Sequence, residues 1–79
     1  MGKSREYMHN VALVSKEKGY TKDEFSNIII ICCSDQMEEN GYDSITALQK
    51  AEEWIKSGLK AQQVIEKLLK LTGYEVGKY

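Results

Sequence analysis

Glycines followed at once by a bulky apolar residue recur four times along this proline-free chain of 79 residues. A glycine can adopt the left-handed backbone conformation that ends many α-helices, and the next apolar residue then folds back onto the last turn. The pattern therefore predicts four helix C-termini. The pairs are Gly19 with Tyr20, Gly41 with Tyr42, Gly58 with Leu59, and Gly73 with Tyr74.

The residue five positions before each bulky residue supports this prediction, because the two lie close together in this type of helix end. Large apolar residues occupy that position in three of the four cases, and at the first pair Val14 can substitute for Ser15. The expected partners are Tyr42 with Met37, Leu59 with Trp54, and Tyr74 with Leu69.

The clearest helix start is a capping box at Thr21 and Glu24, in which each side chain accepts a hydrogen bond from the other residue's backbone N–H. Tyr20 and Phe25 flank this box as a hydrophobic staple. Ser4 is the expected cap of the first helix, and Asp43 or Ser44 the cap of the third. No good cap precedes Ala61, which predicts a tight turn before the fourth helix.

Apolar residues recur at helical spacing between these boundaries, and the second helix is apolar over most of its circumference. Ile30 and Ile31 fall off its main face, so we expect this helix to be central or to contact a partner. The sequence predicts an all-α bundle of four short helices, with the second helix at the centre of the packing. Residues 1–79 form one helical domain in this interpretation, with residues 75–79 as a loose C-terminal tail.

An α+β fold is the alternative, because β-branched runs cannot be distinguished from buried helix by periodicity alone. In that fold residues 11–14 and 28–33 form a short two-stranded element. The capping box four residues before Ile28 favours the helix instead.

Composition excludes several classes of protein. The formal net charge of -1 does not suggest a strongly basic nucleic-acid binder. The longest apolar run, residues 28–33, is far shorter than the roughly 20 residues that span a bilayer. Lys3 and Arg5 are followed by Glu6 rather than by a hydrophobic stretch, so we expect no secretory signal and a cytoplasmic location.

Acidic residues gather in the second quarter of the chain, where residues 21–43 carry six carboxylates against one lysine. Asp35, Glu38 and Glu39 fall at the C-terminal end of the predicted second helix, where the helix dipole disfavours negative charge. These residues either form a solvated face or, together with Ile30 and Ile31, contact a basic surface on another protein.

The last helix carries the opposite charge and supports an alternative function. Lysines can bind phosphates, and glutamines can read adenine edges in a major groove. The candidate nucleic-acid surface consists of Lys60, Gln63, Lys67 and Lys70.

Catalytic and metal sites are poorly supported. One histidine, His9, and two adjacent cysteines do not supply the spaced ligands of a zinc site, and the glycines do not form a phosphate-binding loop. We expect Cys32 and Cys33 to be small buried hydrophobes. The sequence therefore predicts no enzyme activity, no metal and no cofactor. It favours a protein-binding module that regulates or inhibits a macromolecular partner, or that self-associates as a homodimer.

Overall fold

The computed structural model describes residues 2–73, with side chains from Arg5 onward. Four helices of eleven residues or more are accompanied by one short helix, and residues 2–73 contain no strand. The all-α bundle is therefore confirmed. The alternative α+β fold is wrong, because residues 11–14 lie in α1 and residues 28–32 in α2. The helices are α1 (Gly2–Glu17), α2 (Lys22–Cys32), α3 (Asp35–Glu39), α4 (Ser44–Lys56) and α5 (Ala61–Leu71).

Glycines end the helices as the sequence predicted. Gly19, Gly41, Gly58 and Gly73 all have positive φ, between 80° and 99°. The following residue donates its backbone N–H to the carbonyl five positions earlier, as in the 3.0 Å bond from Tyr42 to Met37 and the 3.3 Å bond from Leu59 to Trp54. The predicted pair of Tyr74 with Leu69 and the tail at residues 75–79 lie outside the described residues.

Two of the three helix caps that the sequence predicted are confirmed. In the capping box, Thr21 N–H donates to Glu24 Oε1 at 2.8 Å, and Glu24 N–H donates to Thr21 Oγ1 at 3.1 Å. Asp43 Oδ1 accepts from the N–H of Thr46 at 2.7 Å and caps α4. The prediction for Ser4 is wrong, because this residue lies inside α1.

The predicted second helix is interrupted at Cys33 and Ser34. Ser34 has extended backbone angles, and its hydroxyl accepts a hydrogen bond from the N–H of Met37 at 3.2 Å. Serine competes for helical N–H groups in this way, and it thereby caps a new helix. The second segment consequently divides into α2 and the five-residue α3.

The helix that organises the core is α4, so the expectation that the second helix is central is wrong. α4 packs against each of the other four helices, α1 most extensively, while α2 packs mainly on α5. Four side chains of α4 are buried, against two of α2. The small residues Ala47 and Ala51 are fully buried on α4, which lets neighbouring helices approach closely. The other fully buried core residues are Val11, Ile28, Met37, Leu48, Ile55, Val64 and Leu68.

Within residues 2–73, the helices are too short or too polar to span a membrane.

Candidate protein-binding surface

The two isoleucines that the sequence assigned to a contact surface are separated by the fold. Ile30 is 66% exposed and is one of two large hydrophobic residues that the described chain presents to solvent. Ile31 is half-buried and packs against the core. Adjacent helical residues point about 100° apart, so only one of the two can face fully outward. Ile30 therefore provides most of the apolar surface at this position.

The three carboxylates of α3 are exposed and share one side of that helix. Asp35, Glu38 and Glu39 are spaced three and four residues apart, whereas Met37 lies on the opposite side and is fully buried. Since α3 begins after Ser34, Asp35 and Glu38 belong to the first turn of a new helix, and Glu39 is its last residue. The dipole favours negative charge in the first turn, so the expected destabilisation at the end of one long helix is wrong for Asp35 and Glu38.

Contacts at both ends hold α3 in a fixed orientation. Ser34 caps its start, and Met37 anchors its middle in the core. At its end, Asn40 Nδ2 donates to the carbonyl of Gln36 at 2.9 Å and to the carbonyl of Thr72 at 2.9 Å. The helix that carries the three carboxylates is therefore held in one orientation. We call Ile30, Asp35, Glu38 and Glu39 the acidic surface.

The charges of the acidic surface are not neutralised by neighbours in residues 5–73. The ion pair found in this range joins Lys56 Nζ to Glu52 Oε1 at 2.9 Å on α4. No lysine or arginine of the described side chains lies within ion-pair distance of Asp35, Glu38 or Glu39. A positive group on another molecule can therefore approach these carboxylates without displacing an ion-pair partner from residues 5–73.

The adjacent cysteines have different environments. Cys32 is 1% exposed, and burial, followed by the neighbouring Cys33, raises the pKa of its thiol to about 12. Cys33 is exposed, so the expectation that both are buried is wrong for this residue. It follows Ile30 by three residues and is the C-cap residue at which α2 ends.

The predicted nucleic-acid surface lies on the exposed side of α5, but two of its members are engaged within the chain. Gln63 Oε1 accepts the backbone N–H of Lys60 at 2.9 Å, which satisfies the start of the helix. Lys67 Nζ lies over the ring of Trp54, 5.7 Å from its centre, a cation–π distance. Lys60 and Lys70 are exposed.

Sequence reasoning missed Leu13, which is 52% exposed on α1. It follows the buried Val11 by two residues and precedes the buried Val14 by one, so four apolar residues in a row cannot all face the core of a helix. That continuous run is the signal from which its exposure can be derived.

His9 is exposed on α1, and the described side chains include no cluster of three His, Cys, Asp or Glu residues with metal-binding geometry. Comparisons with protein-family models, with curated proteins and with solved structures find no match to this chain. Its function must therefore be argued from its own surfaces.

Proposed function

We propose that the chain is a non-catalytic module that binds a basic surface of another protein through its acidic surface and thereby regulates or inhibits that partner. The observation that supports this proposal is the exposed side chain of Ile30 on α2, five residues before the first of three exposed carboxylates on the anchored helix α3. An apolar centre with a polar rim is typical of protein interfaces. The free thiols of Cys32 and Cys33 are consistent with a cytoplasmic module.

The two kinds of side chain have different roles in this proposal. Complete burial of Ile30 by a partner contributes about 1 to 2 kcal/mol, since about a third of the side chain is already covered. The carboxylates mainly accelerate association and select partners of positive charge, and salt weakens that effect. A stable complex buries roughly 800 Å² on each partner, so residues around the acidic surface also contribute.

Affinity capture with charge-reversed variants tests the proposal. The triple variant Asp35→Lys, Glu38→Lys, Glu39→Lys is compared with Glu17→Lys, Glu53→Lys, which alters exposed carboxylates on α1 and α4. We expect the wild type and the control to retain the same basic protein and the triple variant to lose it, with equal helicity by circular dichroism. The retained protein is then purified, and its affinity for each variant is measured at several salt concentrations.

Ile30→Asp tests the apolar part of the interface separately. The residue is exposed, so the substitution leaves the core intact while placing a charge where the partner requires an apolar group. Equal affinity of the purified partner for wild type, Ile30→Asp and the triple variant would contradict the proposal.

Self-association is the second form of this function, and the exposed Ile30 and Leu13 favour it. A homodimer that buries Ile30 gives a sedimentation coefficient that rises with concentration in the wild type and not in Ile30→Asp. A single monomeric species at all concentrations would contradict the homodimer, and binding to a different protein would remain as the proposed function.

Nucleic-acid binding through α5 is less well supported, because Gln63 and Lys67 already have partners within the chain. Their use in binding requires those contacts to break. A mobility shift that disappears steeply with salt, and that is abolished by neutralising Lys60, Lys67 and Lys70, would favour this alternative over protein binding.

A further inference from the structure

The outward side of α1 carries an apolar residue at its centre. Leu13 is 52% exposed and His9 is also exposed, whereas Val11 and Val14 on the opposite side of the helix lie in the core. Successive residues turn by about 100°, so His9 and Leu13 fall about 40° apart in the middle of the exposed side. A single exposed leucine needs no explanation by itself, so the charges around Leu13 decide whether this side contacts another molecule.

Charged residues of opposite sign flank Leu13 on this side. Arg5 and Lys16 lie on one edge, Glu6 and Glu17 lie on the other, and all four are exposed. The two members of each edge are eleven residues apart, about three helical turns, so they are aligned along α1. The edges are about 100° apart, and Leu13 lies between them. We call Arg5 and Lys16 the basic edge, and Glu6 and Glu17 the glutamate edge.

Neither edge is engaged in an ion pair within residues 5–73, where the ion pair found joins Lys56 to Glu52. The pKa of Lys56 is raised mainly by its hydrogen bond to Glu52 and to a smaller extent by Glu17. Glu17 therefore has Lys56 in its neighbourhood without forming an ion pair with it. Both edges are consequently available to a charged surface of another molecule.

A second copy of the chain offers the complementary pattern of charge. In a homodimer whose two-fold axis is parallel to α1, the basic edge of each copy faces the glutamate edge of the other. Arg5 then lies opposite Glu6 of the second copy, and Lys16 opposite Glu17, because adjacent residues differ by only about 1.5 Å in height. An antiparallel pair brings two basic edges together and two glutamate edges together, so repulsion disfavours it.

We propose that the chain forms a weak parallel homodimer through α1, with Leu13 of the two copies in contact and ion pairs between the edges on both sides. The 16 residues of α1 extend over about 24 Å, so the contact is smaller than the roughly 800 Å² per partner of a standard interface. Exposed ion pairs add little affinity, and the charges mainly select the second copy and its direction.

This dimer gives the self-association form of the proposed function a surface on α1. It uses no residue of the acidic surface, so it is independent of binding to a basic partner. It also differs from a homodimer that buries Ile30, because that residue lies on α2.

Sedimentation equilibrium at low salt, from about 10 µM to about 1 mM chain, tests the dimer, since we expect a Kd of about 0.1 to 1 mM for a contact of this size. Leu13→Asp is expected to raise the Kd about tenfold or more, because a charge replaces the central apolar contact. Ile30→Asp on α2 is the matched control and should leave the Kd unchanged.

Two results of this experiment would overturn the proposal. The first is a wild type that stays monomeric over the whole range. The second is a Kd that rises in Ile30→Asp and not in Leu13→Asp, which would place the contact on α2. Neither result affects capture of a basic protein by the acidic surface, which is measured with its own variants.

Exchange of charges tests the pairing of the edges. Arg5→Glu, Lys16→Glu has two acidic edges and Glu6→Lys, Glu17→Lys has two basic ones, so each is expected to dimerise about tenfold or more weakly than the wild type. An equimolar mixture has complementary edges again and should regain a Kd within about threefold of the wild type. A mixture that dimerises no better than its components, at equal helicity, would contradict the pairing.

Disulfide formation under mild oxidation tests the direction of the helices, in a Cys33→Ser background. In a parallel pair, His9→Cys and Lys16→Cys each place the new thiol close to its own copy. These positions are about 10 Å apart along α1, so an antiparallel pair can join at most one of them to itself. We expect both variants to form covalent dimers and the exposed control Gln62→Cys on α5 to form none. Cross-linking of only one position, or of neither, would overturn the parallel arrangement.

Discussion

The side-chain amide of Asn40 donates a hydrogen bond to the backbone carbonyl of Thr72 at 2.9 Å, which joins the ends of α3 and α5 across 32 residues of sequence. The same amide nitrogen also donates to the carbonyl of Gln36 at 2.9 Å. One exposed asparagine therefore closes α3 and attaches it to the last helix. The orientation of the acidic surface depends in part on this contact.

Replacement of Asn40 by alanine is expected to destabilise the fold by about 1 to 2 kcal/mol, because the carbonyl of the buried Thr72 loses this partner. In a domain of this size each kcal/mol lowers Tm by about 4 to 8 °C. Urea and thermal unfolding measure the effect. Asn27→Ala, at an exposed position of α2, is the matched control and should change stability by less than about 0.5 kcal/mol.

Gly41 allows a test of backbone conformation without steric interference. A Cβ at this position meets no atom within 4 Å, so the cost of a substitution comes from its φ of +84°. We expect Gly41→Ala to lose about 1 to 2 kcal/mol, and Gly41→Asn to lose less because asparagine tolerates the left-handed region. Equal unfolding free energies for the alanine and asparagine variants would be inconsistent with this account.

Asp43 makes part of the stability dependent on pH. Hydrogen bonds from Thr46, its backbone N–H first, lower the pKa of Asp43 below the ordinary value of 3.8. The carboxylate is thus stabilised in the folded state, and this contribution is complete above pH 3.8 and is lost as the pH falls through the lower folded pKa.

The variant Asp43→Asn retains a capping oxygen that does not titrate in this range. We expect its urea midpoint to fall less than that of the wild type when the pH is lowered from about 6 to about 2. All other carboxylates are common to the two proteins, so the difference isolates Asp43. Glu53→Gln, an exposed substitution on the same helix, should follow the wild type.

The two cysteines should differ in reactivity despite being adjacent. With a pKa of about 12, roughly one Cys32 thiol in ten thousand is ionised at pH 8, and burial restricts access to it. We expect iodoacetamide to modify one thiol rapidly in the native protein and both in denaturant. Cys33→Ser should remove the rapid reaction and Cys32→Ser should retain it, as mass spectrometry can show. Rapid modification of native Cys33→Ser would contradict the burial of Cys32.

Local signals made most of the fold predictable. The four glycines and the box at Thr21 act through backbone groups within five residues, so tertiary packing is not needed to recognise them. The interruption at Ser34 was missed because its signal is incomplete. The position three residues after this serine holds Met37 rather than the glutamate of a full capping box.

The arrangement of the helices and the candidate surfaces depended on information that a single sequence does not contain. The apolar composition of α2 suggested a central helix, but Ala47 and Ala51 allow α4 to take that position by close packing. Ile30 was correctly expected to lie off the main face of α2. Gln63 bonds to Lys60 three residues earlier, a local contact, whereas the position of Lys67 over Trp54 arises from the packing of α5 on α4, which only the folded chain brings together.

Helix ends that are completed within a few residues also affect how quickly the chain reaches its native state. Each of the backbone bonds that close α1, α3 and α4 spans five positions or fewer, so little chain entropy is lost before they form. Helical domains dominated by such short-range contacts fold in microseconds to milliseconds. Because the sequence contains no proline, no slow peptide-bond isomerisation delays any fraction of the molecules.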